Sequence, residues 1–180
     1  MSDRRLGLSL ARIAVPARPS IWTQRPFRDS VGGVDERDFE LRAATYGLFA
    51  DRGHAPTVAD LVEVSGVSAE DVLAGWRRLH DQHALVLDAT FSAILMANPF
   101  SAVPTAFRVQ ADGRSWFANC AWDAFGICAA LHVGGRIETT CPDCGDPVTV
   151  EVRNERPDDE TLFFHVLVPA AQWWDDIVFT

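Results

Sequence analysis

The chain has 180 residues, 48% of them hydrophobic and 23% charged, with a formal net charge of -9. That length can bury one ample core or two small ones, and the composition is that of an ordinary soluble globular protein. The acidic balance argues against a nucleic-acid binder, which needs a basic face for phosphates, and no apolar run approaches the roughly 20 residues that span a bilayer.

Residues 1–34 carry Pro16, Pro19, Pro26 and the Gly32-Gly33 pair with little periodicity. They are expected to form an irregular, cytoplasmic arm. Arg12 interrupts the short apolar run, and residues 16–20 lack a small-residue cleavage site, so a signal peptide is the weaker reading. The first helix is expected over 38–52, with Leu41, Thr45 and Leu48 on one face and Gly53 as its stop. After Pro56, Thr57-Val58-Ala59-Asp60 has capping-box character and opens a short helix ending near Gly66. Ser68 then caps a third helix whose buried stripe is Val72, Trp76 and Leu79. Two β-like runs follow, 84–87 and 91–97.

Three helices and a β-ribbon are the pattern of a winged helix-turn-helix, assigned here to residues 35–100. Its third helix offers Arg77, Arg78 and His80 but also Glu70, Asp71 and Asp81, with no run of Lys or Arg to hold phosphates. The unit is therefore expected to be structural and not DNA-binding; a winged-helix regulator with a cysteine metal sensor is the alternative.

Residues 101–180 read as β-rich. Strands are expected at 106–110 and 115–119 around the Asp112-Gly113 hairpin signal, then a short helix over 121–131. Further strands are expected at 136–140 and 148–152, flanking the turn Cys141-Pro142-Asp143-Cys144-Gly145. An acidic loop at 158–160 leads to a strand at 162–168, a helical turn at 170–175 and the start of one more strand at 176–180. The fold class is thus α+β: a winged-helix-like three-helix domain followed by a β-rich core.

All four cysteines, Cys120, Cys128, Cys141 and Cys144, fall within this second half. In a cytosolic chain such clustering points to metal or catalysis. Cys120 stands where a strand gives way to a helix, and helix N-terminal dipoles favour thiolate over thiol. Asp123 returns to the same face one turn later. A soft thiolate and a carboxylic acid would face one pocket; the plainer reading is a buried small residue beside an N-terminal helix charge. Cys141 and Cys144 form a zinc-knuckle half-site. Cys120 and Cys128 are too far apart in sequence to form a second knuckle, so a four-cysteine zinc site, a reversible disulfide and a plain surface turn all stay open there.

The stretch Gly113-Arg114-Ser115-Trp116-Phe117-Ala118-Asn119-Cys120-Ala121-Trp122-Asp123-Ala124-Phe125-Gly126 resembles the core of the organomercurial (alkylmercury) lyases, in which a strand ends in a Cys-Ala-x-Asp motif. The resemblance continues through Gly135 to Gly145, Phe164 to Ala171 and Trp173 to Asp176, and the family's N-terminal half is itself winged-helix-like without binding DNA. The resemblance implies protonolysis of a carbon–mercury bond by Cys120 and Asp123, releasing a hydrocarbon and thiolate-bound Hg(II). Cys141 and Cys144 would be additional thiols for the metal. It further implies no organic cofactor, and low-molecular-weight thiols or a mercuric reductase as acceptors of the product. The family's second catalytic cysteine lies shortly after the region matching 176–180. Thr180 is the last residue here, so the chain reads either as one that stops before that thiol or as a divergent member without it. A single cysteine should bind organomercury and cleave it poorly, and Cys128, Cys141 or Cys144 would substitute only if folded within reach of the same metal. A lyase-like protein that binds a soft metal, or runs another reaction, is therefore the second expectation.

Overall fold

A computed structural model describes residues 35–159, 161–163, 166 and 168–178; the expected arm 1–34 lies outside them. Helix α1 (Glu36–Arg52) starts two residues before the expected point, because Asp35 accepts from the Arg37 amide as its N-cap. It ends where Gly53 turns left-handed at φ 81°. There a Cβ would lie 2.5 Å from the Ser115 carbonyl oxygen, so both conformation and crowding require glycine. Helix α2 (Val58–Ser65) carries the expected capping box, Thr57 and Asp60 each accepting from the other's backbone amide. Helix α3 (Ala69–Asp81) is capped by Ser68 and buries Val72, Trp76 and Leu79 as its spacing required.

Two polar links hold the helices together. The Trp76 indole donates to Thr45 Oγ1 at 3.1 Å inside the core. Arg78 donates to both oxygens of the buried Asp38 carboxylate, at 2.7 and 2.6 Å. Arg78 is thereby engaged with α1. His80, another residue of the expected third-helix face, accepts from the Leu87 amide at 3.3 Å.

Among the described residues eight strands form one antiparallel sheet: β1 (Val86–Leu87), β2 (Ile94–Ala97), β3 (Phe100–Ser101), β4 (Phe107–Ala111), β5 (Arg114–Ala118), β6 (Gly135–Thr140), β7 (Pro147–Arg153) and β8 (Arg156–Pro157). Their spatial order is β1-β2-β3-β5-β4-β6-β7-β8. β1 and β2 are shorter than the runs expected at 84–87 and 91–97, because Asp88 accepts from the Ser92 and Ala93 amides and closes a broad turn with Phe91 at positive φ. β4 and β5 meet at Asp112-Gly113, both with positive φ, as the hairpin signal required. Helix α4 (Ala121–Leu131) packs across β5, β4 and β6.

The core runs without a break from Leu41, Phe49 and Trp76 through Phe100 and Trp116 to Ile127 and Val150. Phe49 stacks on Phe100 at 5.0 Å, and the Trp116 indole caps the end of α1 through the Phe49 and Ala50 carbonyls. Both halves of the sequence thus share one sheet and one core, and the fold is α+β.

Near the C-terminus the expectations are corrected in part. Of the strand expected at 162–168, Leu162, Phe163, Val166 and Val168 are not in a strand; Phe164, His165 and Leu167 lie outside the described residues. Pro169 does open a helical turn, a 3-10 helix (Ala170–Asp175), where Trp174 stacks on His83 at 4.1 Å. Asp176, Ile177 and Val178 form a bend and turn and not the start of a strand, while Phe179 and Thr180 lie outside the described residues.

Candidate active site

Cys120 is the N-cap residue of α4, extended at φ -151° and ψ -177°, and Asp123 sits in the first turn. The strand-to-helix switch is built locally. β5 ends at Ala118, pinned by the Thr105 hydroxyl on its carbonyl at 2.5 Å, and the Cys120 carbonyl accepts the first helical bond from the Ala124 amide. The apolar face of α4, with Ala124, Ile127 and Cys128, then buries against the sheet.

At the switch the Cys120 thiol and the Asp123 carboxyl are near enough to act on each other's titration, and the Asp123 and Trp122 amides lie near the same sulfur, though no side-chain cap bond forms there. The expected pair therefore does share one face. The expected thiolate does not follow. Burial first, then the Asp123 charge, push the Cys120 thiol above its ordinary value; the two amides act in the other direction and are outweighed. Burial also raises Asp123, against the lowering effect of the Asn119 amide and the Cys120 thiol. Both groups are pushed toward their protonated forms.

Two residues that sequence reasoning passed over complete the site. Asn119 Nδ2 donates to Asp123 Oδ2 at 3.1 Å, to Asn98 Oδ1 at 2.9 Å and to the Phe100 carbonyl at 3.3 Å. It ties the acid to the segment before β3, where the Asn98-Pro99 peptide is cis. Tyr46 of α1, fully buried, donates to the Ala84 carbonyl at 2.8 Å and is near enough to Asp123 to feel its charge. Burial is the main cause of its raised hydroxyl, and that charge is the smallest contribution. Asn119 had a signal in its spacing four residues before Asp123; Tyr46 had none, since only the tertiary fold brings α1 to α4.

The other cysteines lie apart. Cys128 is two helical turns on, about 12 Å along the axis. It is buried against Gly135, and burial pushes its thiol up to about 11. Cys141 and Cys144 both lie in the β6–β7 turn. Backbone amides of Cys144 and Asp143, then the Cys144 thiol, lower Cys141. Cys144 is lowered by the Asp146 amide but is held above its ordinary value by Cys141 and the Asp146 carboxylate. Among the described residues no group of three or more His, Cys, Asp or Glu side chains could hold a metal, so the four-cysteine arrangement is not assembled. An open cleft of about 610 Å³, lined by Arg108, Arg114, Arg136 and Glu151, lies at the Asp112-Gly113 end of the sheet, away from Cys120.

Residues 100–180 match the family model of alkylmercury lyase, MerB, so the resemblance read from the motif around Cys120 holds over that segment. Ten chains of solved structures match. One is the crystal structure of the mercury-bound form of MerB2, with a TM-score of 0.58 and 24% identity, covering 74% of this chain. The match spans 65% of that chain's length, and at this identity the likeness is one of fold. No curated protein matches the sequence.

Proposed function

We propose that the chain cleaves the carbon–mercury bond of organomercurials by protonolysis, with Cys120 as metal ligand and Asp123 as general acid. The observation that carries this reading is the placement of Cys120 at the N-cap and Asp123 in the first turn of α4, where each acts on the other's titration. A soft sulfur prefers a soft, thiophilic metal. The pair also supplies the proton. In R–Hg–X, with X an anionic ligand, the Cys120 sulfur displaces X as its proton passes to the neighbouring Asp123. The products are R–Hg–S–Cys120, X⁻ and a neutral Asp123. The acid then delivers that proton to the carbon as the C–Hg bond breaks, giving R–H, a metal left on sulfur and a carboxylate again. Burial favours this sequence because it disfavours charge on either partner before the metal arrives. Trp122, 62% exposed beside the thiol, offers an apolar wall for the organic group.

Residues 101–180 carry the chemistry in this reading. Residues 35–100 are a winged-helix-like layer without DNA-binding function, consistent with Arg78 being engaged by Asp38 and His80 by the Leu87 amide. No organic cofactor is needed. Low-molecular-weight thiols or a mercuric reductase take the Hg(II) away, which suits the thiol-rich cytoplasm; among the described residues no helix is long and apolar enough to cross a membrane. The test is benzene release from phenylmercury acetate with excess thiol, expected for the wild type and abolished by Cys120→Ala or Asp123→Ala. A wild type that binds phenylmercury and releases no benzene would overturn it. That outcome would favour the second reading, capture of a soft metal without cleavage, which draws on the separation of Cys128 and the Cys141 turn from Cys120.

A further inference from the structure

β6 and β7 pair down to Thr140 opposite Pro147, and the six residues beyond them form a tight closed turn. The Cys141 amide donates to the Asp146 carbonyl at 2.8 Å, and the Gly145 amide returns to the Cys141 carbonyl at 2.9 Å. Gly145 supplies the left-handed corner at φ 78°. Cys141 follows the end of β6 and Cys144 stands three residues on, just before the Gly145 corner, so the closed turn holds both cysteines in one short loop. Cys144 is exposed and Cys141 half-buried, so a solute can reach both. The turn is a preformed dithiol.

Its place in the sheet gives it a role. Register pairs Phe107 with Ala118 and Arg108 with Glu138. The end of β5, the start of β4 and the end of β6 therefore share one edge of the sheet. Cys120 lies just past β5 and Cys141 just past β6, two strand spacings or roughly 10 Å apart.

We infer that Cys141 and Cys144 form a second soft-metal site, a two-sulfur chelate that takes Hg(II) from the single thiolate of Cys120. This rests on the lyase reading for the source of the metal. Two sulfurs satisfy a two-coordinate soft ion, whereas zinc calls for four ligands. External thiol XH carries the metal across: Cys120–S–Hg–X and XH give Cys120–SH and HgX2, and the two thiols of the turn convert HgX2 into the Cys141–S–Hg–S–Cys144 chelate with release of two XH. Each Hg–S bond broken is matched by one formed, every proton ends on a departing thiol, and no electron is transferred. The exchange runs toward the turn because its second sulfur is held beside the first, at the millimolar or higher effective concentration that makes a chelate outlast a monothiol. Cys120 returns as a free thiol for the next substrate.

The test uses the full chain carrying Cys120→Ser, loaded anaerobically with mercuric chloride and dialysed against excess glutathione. This variant should keep a single Hg(II) per chain, with the ultraviolet thiolate-to-mercury charge-transfer band. Adding Cys141→Ser and Cys144→Ser should abolish retention and weaken binding at least a hundredfold. An unchanged unfolding midpoint would show that the fold survives. Release of all Hg(II) by the first variant, or its retention by the triple variant, would overturn the dithiol site. The measurement needs no C–Hg cleavage, so failure of the lyase reading appears separately, as absent benzene from the wild type.

Discussion

Asp123→Asn should move the two halves of the proposed reaction in opposite directions. The fold should accept the change, since asparagine is the same size and its side-chain oxygen can still receive Asn119 Nδ2, now 3.1 Å from the carboxylate. What is lost is the acidic proton and the negative charge. Loss of a positioned general acid slows a proton-transfer step roughly a hundred- to ten-thousandfold, or about 3–5 kcal/mol of barrier. Benzene release under saturating phenylmercury should fall by that factor. Capture should improve, because two of the three influences that raise the Cys120 thiol, both from the Asp123 carboxylate, disappear together and leave burial alone. Stopped-flow mercaptide formation with p-mercuribenzoate near neutral pH should therefore be faster than in the wild type. The reasoning fails if benzene release stays within a few-fold of wild type, or if capture slows.

Three further outcomes follow from the same geometry. Asn119→Ala removes a donor that lowers Asp123; with the carboxylate less supported, Asp123 rises further, and the alkaline fall of the benzene-release profile should move to higher pH. A shift to lower pH, or none, would contradict that role. Cys128→Ser places a hydroxyl where a buried thiol packs against Gly135, which should lower unfolding stability by about 1–3 kcal/mol while sparing benzene release. In the Asp38–Arg78 pair the side chains are 3% and 53% exposed. Arg78→Met strands a buried carboxylate and should lose about 3–5 kcal/mol in denaturant titration, whereas Asp38→Asn frees an arginine that water can reach and should lose less; the reverse order would refute the asymmetry.

What the sequence disclosed is what is local. Thr57 with Asp60, Ser68 with its helix, the Val72-Trp76-Leu79 stripe and the Asp112-Gly113 turn are each decided within a few residues, and the helix over 121–131 was legible for the same reason. Cys120 and Asp123 were legible as a pair because one helical turn separates them. The thiol's protonation was not, since a dipole argument knows the helix end but not the burial and the carboxylate that outweigh it. β3 and β8, two residues each, carry no alternation to read and exist only through their neighbours. The Tyr46 bond to the Ala84 carbonyl and Asn98 beside Asn119 are products of long-range packing, set when Phe49 meets Phe100 and α1 meets the sheet.

The raised thiol looks at first like an obstacle to a metal ligand, yet it follows from how the site stores a proton. A half-buried thiolate beside a half-buried carboxylate would place two like charges close together where water solvates them poorly. Keeping one proton between them avoids that state, and desolvation of both groups makes the shared proton hard to lose to water. An electrophilic metal changes the balance, because a mercury–sulfur bond replaces the S–H bond and leaves Asp123 as the only holder of the proton. In the proposed reaction the acid is thus loaded only when a carbon–metal bond is already seated on Cys120. A free Asp123 elsewhere on the surface, ionised at neutral pH, would have no proton to deliver, so placement at the first turn of α4 provides both the contact and the timing.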